Sequence, residues 1–220
     1  MHRLDFFTDF ERDKIYIKNN FPKLRKLFDM NKLLETYYPS CVNKSDEEIF
    51  QFFMENKEII LQQTEHEGKL LESKWKKVEN EYFTQIEKIT DFKWKNNHYN
   101  CHISSSWICG GGYERSDTII VFPRARHCNA VQTIMHELFH LHFWDFLESI
   151  GIELTKEKRK DLWDLSETID FILEDLKIDG IKYKSSLYAQ HRELYEKIKP
   201  LWKGDFKEFI INSLEVVKYY

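Results

Sequence analysis

The sequence predicts an α+β fold in which helices dominate and the β-sheet is small. Glycine and proline are rare, with 7 and 4 residues among 220, a composition typical of helix-rich proteins with few tight turns. Apolar residues recur at steps of three and four along most of the chain, whereas short runs of β-formers lie in one central segment, residues 98–122. The chain is long enough to bury a sizeable apolar core.

The N-terminal part of the chain has helical patterns throughout. Pro22 suits the first turn of a helix, and Ser45 with Glu48 forms the pattern of a capping box at the start of another. A long helical stretch follows, and we expect Gly68 to break or bend it. We therefore predict an N-terminal helical region over residues 1–95 and a second region, a compact core, over residues 96–220.

The central segment predicts the sheet. Residues 98–108 and 118–122 are rich in β-formers, and Gly110 to Gly112 between them indicate a glycine-rich turn. Pro123 ends the second strand because it cannot donate to a ladder. Helical periodicity then resumes, and we expect four helices, over about residues 127–149, 155–177, 186–199 and 205–217.

Composition argues against several classes of partner. The net charge is -4 and the isoelectric point is about 6.2, without a basic cluster, so nucleic acid is not an expected ligand. No apolar run approaches the length of a membrane span, and Asp5 and Asp9 interrupt the N-terminus where a signal peptide would be apolar. The four cysteines form no CxxC pair, which predicts free thiols. We expect a cytoplasmic protein without membrane contact.

One motif carries chemistry, His136-Glu137-Leu138-Phe139-His140, and it lies within a predicted helix. Two histidines four residues apart project from one helical face, the separation that two nitrogens need to bind one zinc ion at about 2.0–2.1 Å. Glu137 is rotated by about 100° from His136. It therefore suits a general base that takes a proton from a water, not a third ligand.

This motif and the strand before it give the chain a family resemblance. The runs 118–123 and 133–142 resemble those of the zincin metallopeptidases, most closely the gluzincin type and its small cytosolic ImmA/IrrE-like members. The resemblance spans about residues 115–176, and it implies one zinc ion per chain and a peptide or protein substrate. Phe139 departs from the small residue usual there. The metzincin pattern fails, because positions 143 and 146 are both Phe.

The resemblance also implies a third ligand, a glutamate on the next helix. Glu167 lies at steps of four between Trp163 and Phe171, on a stripe separate from the aliphatic and the solvent-facing sides. A carboxylate flanked by large aromatic side chains needs a partner, and zinc would supply it. Glu174 lies on the same stripe and is the alternative. Asp170, one turn after Glu167, loosely matches the acid that supports the ligands in that class.

Further candidates lie downstream of the motif. The candidates for stabilising the oxyanion of a tetrahedral intermediate are Tyr183, Tyr188, His191 and Arg192, and the sequence does not choose among them. His142 is about 200° round the helix from His140, which indicates a surface or packing residue and not a ligand. We expect an extended substrate to pair with the strand at residues 118–122.

Two alternatives stay open. Peptide deformylases take their third ligand from an upstream cysteine, and Cys109 precedes the motif, although Gly110 and Gly111 replace the Leu-Ser continuation of that family. A deformylase-like amide hydrolase is therefore one alternative. The other is a non-catalytic helical binding module with a structural or degenerate metal site. The intact Glu137 favours an enzyme, because a structural site has no need of a general base.

Overall fold

A computed structural model describes most of the chain. The described residues are 2–25, 29–106, 108, 110–114, 117–124, 129–152, 159–185 and 189–217. Several residues considered above lie outside these ranges: Cys109, Tyr188 and the expected starts of three helices at 127, 155 and 186.

Helices dominate the described residues, and a small four-stranded mixed sheet accompanies them, which confirms the predicted α+β fold. The strands are β1 (Arg3–Phe7), β2 (His98–Ile103), β3 (Gly111–Glu114) and β4 (Thr118–Val121). The helices are α1 (Phe10–Leu24), α2 (Met30–Tyr37), α3 (Asp46–Glu55), α4 (Lys57–Trp75), α5 (Glu79–Thr90), α6 (Ala130–Ser149), α7 (Arg159–Thr168), α8 (Arg192–Ile198) and α9 (Phe206–Val217). No described helix is long and apolar enough to cross a membrane.

The sheet differs from the expected hairpin. Its strand order is β1-β2-β4-β3, with β4 parallel to β2 and antiparallel to β3. The first predicted strand ends at Ile103, and the glycine run enters β3 instead of forming a turn, because Gly111 pairs with Val121. β4 has a strand on each side, so the prediction that a substrate pairs with residues 118–122 is wrong. β1 was not predicted, since a five-residue strand inside a helical region gives too short a pattern.

Local helix signals are partly borne out. The capping box at the start of α3 is confirmed, because Ser45 Oγ accepts from Glu48 N at 3.2 Å and Glu48 Oε2 accepts from Ser45 N at 2.8 Å. Pro22 lies near the end of α1, not in a first turn, and the side chain of Asp9 caps that helix by accepting from two backbone amides.

Gly68 does not break α4, which runs continuously through it. A Cβ atom at this position would lie 3.3 Å from Cγ1 and from Cγ2 of Ile103 on β2. The glycine therefore allows the helix to pack closely on the sheet. This tertiary contact explains a residue that local propensity assigns to a bend.

The contacts divide the chain into two compact units. The first, which we call the sheet unit, contains residues 4–77 and 98–137. Its apolar cluster contains buried residues from each of the first four helices, among them Phe21, Leu34 and Phe53. Buried Phe122, which follows β4, belongs to the same cluster.

The second, which we call the helical unit, contains residues 1–3, 78–97 and 138–220. α6 is one continuous helix. Its first two turns belong to the sheet unit and the rest belongs to the helical unit. In the helical unit, Phe139 and Phe146 of α6 both contact the ring of Phe206 on α9, at centroid distances of 6.3 and 4.9 Å. The C-terminal helix thus accommodates the large side chain of Phe139.

Candidate metal centre

The helix that carries the motif is buried on most of its surface. Apolar side chains surround α6, which is typical of a helix inside a protein core. Polar groups in such a helix need partners. His140 is 1% exposed, Glu137 is 6% exposed, and His136 is half-buried. The motif therefore places two imidazoles and one carboxylate where an unpaired charge would be costly.

Glu167 comes from the last turn of α7, and it lies beside His140. Glu167 Oε1 is 3.4 Å from His140 Nε2, and both side chains are buried by more than nine-tenths. Two ligands of one tetrahedral zinc ion, each at about 2.0–2.1 Å, lie roughly 3.4 Å apart. This pair therefore has the spacing of two ligands on one ion.

His136, one turn before His140 on α6, completes a group of three. One ligand atom from each of His136, His140 and Glu167 lies within 4.8 Å of the other two. Two imidazole nitrogens and one carboxylate oxygen form the donor set of many catalytic zinc sites, which leave a fourth position for water.

Glu174, the alternative third ligand, lies elsewhere. After Thr168 the helix continues as a 3-10 helix, Ile169–Asp175. Each residue of a 3-10 helix turns by about 120° instead of 100°, so Glu174 ends roughly 100° away from the direction of Glu167, where α-helical geometry predicts about 20°. Glu174 Oε1 instead accepts from Ser185, at 3.1 Å from N and 2.7 Å from Oγ.

Asp170 and Tyr183 form a buried pair. Tyr183 Oη donates to Asp170 Oδ2 at 3.0 Å, and both residues are less than a tenth exposed. Asp170 lies three residues after Glu167, in the 3-10 segment. The structure thus joins a candidate supporting acid to a candidate oxyanion donor, and it describes no position for Tyr188.

His191 forms a second group beside α7. Its Nδ1 lies 3.6 Å from Asp164 Oδ1, its Nε2 lies 3.2 Å from Gln190 Nε2, and the ring of Trp163 meets it edge-on at 5.5 Å. Trp163 is 38% exposed, whereas His191 is buried. Helical periodicity puts Asp164 on the solvent-facing side of α7, so the sequence does not predict this contact. Which carboxylate lies within reach of a given histidine can be known only from the tertiary structure.

His142 is a packing residue, the buried one of the two roles that the sequence left open for it. It is fully buried in the helical unit, and its ring lies 4.4 Å from that of Trp94. Thr90 Oγ1 donates to the Ile86 carbonyl and lies 2.8 Å from His142 Nε2. Because that hydroxyl has one proton, His142 must donate to it through Nε2. Burial lowers the pKa of His142 to about 3.

We expect His142 to make folding sensitive to acid. Its folded-state pKa of about 3 lies below the ordinary 6.5, so the unfolded chain binds the extra proton between these values. Stability from this group is full above pH 6.5 and is lost as the pH falls. At pH 5 the loss should be about 2 kcal/mol. Urea unfolding at pH 7.5 and 5, with chelator present, should show a smaller loss in His142→Gln. Equal losses in both proteins would contradict this assignment.

Comparisons with known proteins add no assignment. No model of a protein family, no curated protein and no solved structure matches the chain significantly.

Proposed function

We propose that this protein is a zinc-dependent metallopeptidase with one zinc ion per chain. The observation that carries the proposal is the grouping of His136, His140 and Glu167, with Glu137 on the same helix as the two histidines. A site that only stabilises the fold uses four protein ligands. Three candidate ligands with an adjacent carboxylate suit hydrolysis better.

Each residue then has a distinct role. His136, His140 and Glu167 would hold the ion, which supplies a water of lowered pKa and polarises the carbonyl of the substrate. Glu137, one residue from His136, would accept the proton of the attacking water and pass it to the leaving amine. The buried pair of Asp170 and Tyr183 and the pair of Asp164 and His191 are the candidates for supporting groups.

The HExxH resemblance supports a peptide or protein as substrate. We also propose a reducing, cytoplasmic location, because the two described cysteines, Cys41 and Cys101, are free and buried. We propose neither nucleic acid nor a membrane as a partner, because the sequence contains no cluster of basic residues.

Metal analysis tests the site directly. We expect about one zinc per chain in the isolated protein, and we expect His136→Ala and His140→Ala to abolish this binding. His142→Gln is the matched control, because it changes a buried histidine on the same helix outside the group. Mass spectrometry of the metal, after dialysis against a weak chelator, gives the stoichiometry. Full occupancy in either alanine variant would show that the proposed ligand set is wrong.

A further inference from the structure

A glycine of the sheet lies directly against the proposed general base. Gly111 is the first residue of β3, and a Cβ atom built on it would lie 2.5 Å from Oε1 and 3.0 Å from Cγ of Glu137. The same atom would lie 2.4 Å from Cγ2 of Thr133, one turn earlier on α6. Non-bonded carbon atoms prefer about 3.5–4.0 Å. Any side chain at position 111 therefore forces a neighbour to move.

The two neighbours differ in how they can move. Thr133 Oγ1 contacts the carbonyl of Asn129 at 3.3 Å, a bond to the preceding turn that fixes the side chain and leaves its methyl group facing Gly111. That methyl group is close to the helix backbone, so it can move away only by a rotation about χ1 that breaks this hydrogen bond or by a movement of the helix. The Glu137 carboxylate ends a side chain with three rotatable bonds, so it yields first and at low cost.

The strand itself is held in place. Gly111 pairs with Val121 of β4, and the carbonyl of the preceding Gly110 accepts from Phe122 N at 2.8 Å. Glu137 is buried, so its carboxylate has little room on the side of the strand. The backbone of β3 thus forms a fixed surface against which the carboxylate rests.

We propose that Gly111 is a positioning residue for Glu137. Because glycine has no Cβ atom, the Glu137 carboxylate can lie against the backbone of β3, in the position from which it would act as a general base. The catalytic part of this inference rests on the proposed function. A general base must lie within hydrogen-bond reach of the proton that it removes. A displacement of about 1 Å costs on the order of 100-fold in rate.

The main test is Gly111→Ala in the zinc-loaded protein. We expect unchanged zinc stoichiometry, because the added methyl group meets Thr133 and Glu137 and no proposed ligand among its nearest atoms. We expect kcat to fall by roughly 10- to 100-fold with KM nearly unchanged, since a general base acts in the transition state. In a Glu137→Gln background the same substitution should cause no further loss.

A second variant separates positioning from general crowding. Thr133→Ser removes the Cγ2 atom and keeps the hydroxyl, so it relieves the contact with the helix but not the contact with Glu137. We expect Gly111→Ala/Thr133→Ser to recover thermal stability while kcat stays low. Recovery of both stability and kcat would show that Gly111 acts only by letting the helix approach the strand, and would overturn the inference.

The contact between position 111 and Glu137 can also be measured by protein stability, without an activity assay. In a double-mutant cycle of urea unfolding, the destabilisation by Gly111→Ala should be smaller when Glu137 is already alanine. Additive effects would overturn the contact itself. Coupling together with an unchanged kcat would overturn the positioning role. If the wild type hydrolyses no peptide, the proposed function fails and the catalytic role of Gly111 fails with it, whereas the coupling still reports the contact.

Discussion

Glu137→Gln is expected to abolish most peptide hydrolysis while zinc stays bound. The substitution keeps the size of the side chain and removes the group that accepts a proton. General-base assistance is worth about 10²–10⁴-fold, and the loss should be at least of this size. Zinc should remain, because the group that can hold it is His136, His140 and Glu167. Wild type and variant should be assayed on a mixed peptide library at matched zinc occupancy.

The control for this experiment is Glu148→Gln, the same change at an exposed glutamate near the end of α6. Glu148 pairs with Lys95 at the surface, and exposed ion pairs contribute little to stability. This control should therefore retain full activity. Equal activity in the wild type and Glu137→Gln would remove Glu137 from the mechanism. Zinc binding without hydrolysis in the wild type would favour the non-catalytic binding module.

Glu167→Gln is expected to weaken zinc binding by at least about 100-fold, and Glu174→Gln to leave it unchanged. Glu167 lies 3.4 Å from His140, whereas Glu174 accepts from Ser185. The two variants carry the same chemical change seven residues apart, so each controls for the other. Titration against a chelator of known affinity measures the difference.

The opposite order of effects would give the ligand role to Glu174. Loss of zinc in Cys109→Ser, with Glu167→Gln unaffected, would instead support the deformylase-like arrangement. Cys109 lies outside the described residues, so this variant tests the one alternative ligand that the structure does not place.

Helical periodicity alone could not choose between Glu167 and Glu174 as the candidate third ligand. Glu167 and Glu174 share a stripe only if the α-helix continues, and it ends at Thr168. Beyond that residue the chain tightens into a 3-10 helix, which rotates Phe171 towards Tyr195 and Phe209. Packing within the helical unit accompanies this change, and a fixed angle per residue cannot anticipate it.

Interactions within one helical turn were determined by the sequence itself. The capping box of Ser45 and Glu48 and the spacing of His136, Glu137 and His140 depend only on neighbours three or four residues apart. The α+β class followed for the same reason, since it needs only the order of local patterns. These features could be predicted because their physical cause is contained in short segments.

Features that join distant segments were decided only by the tertiary structure. Glu167 meets His140 across 27 positions, Gly111 meets Glu137 across 26, and Gly68 meets Ile103 across 35. The placement of β4 between β2 and β3 is of the same kind. A sequence pattern shows which residues could need a partner, but the partner depends on how the whole chain packs. The sequence therefore predicted His136, His140 and the candidate base Glu137, and the fold placed the carboxylate of Glu167 beside His140 and Gly111 beside Glu137.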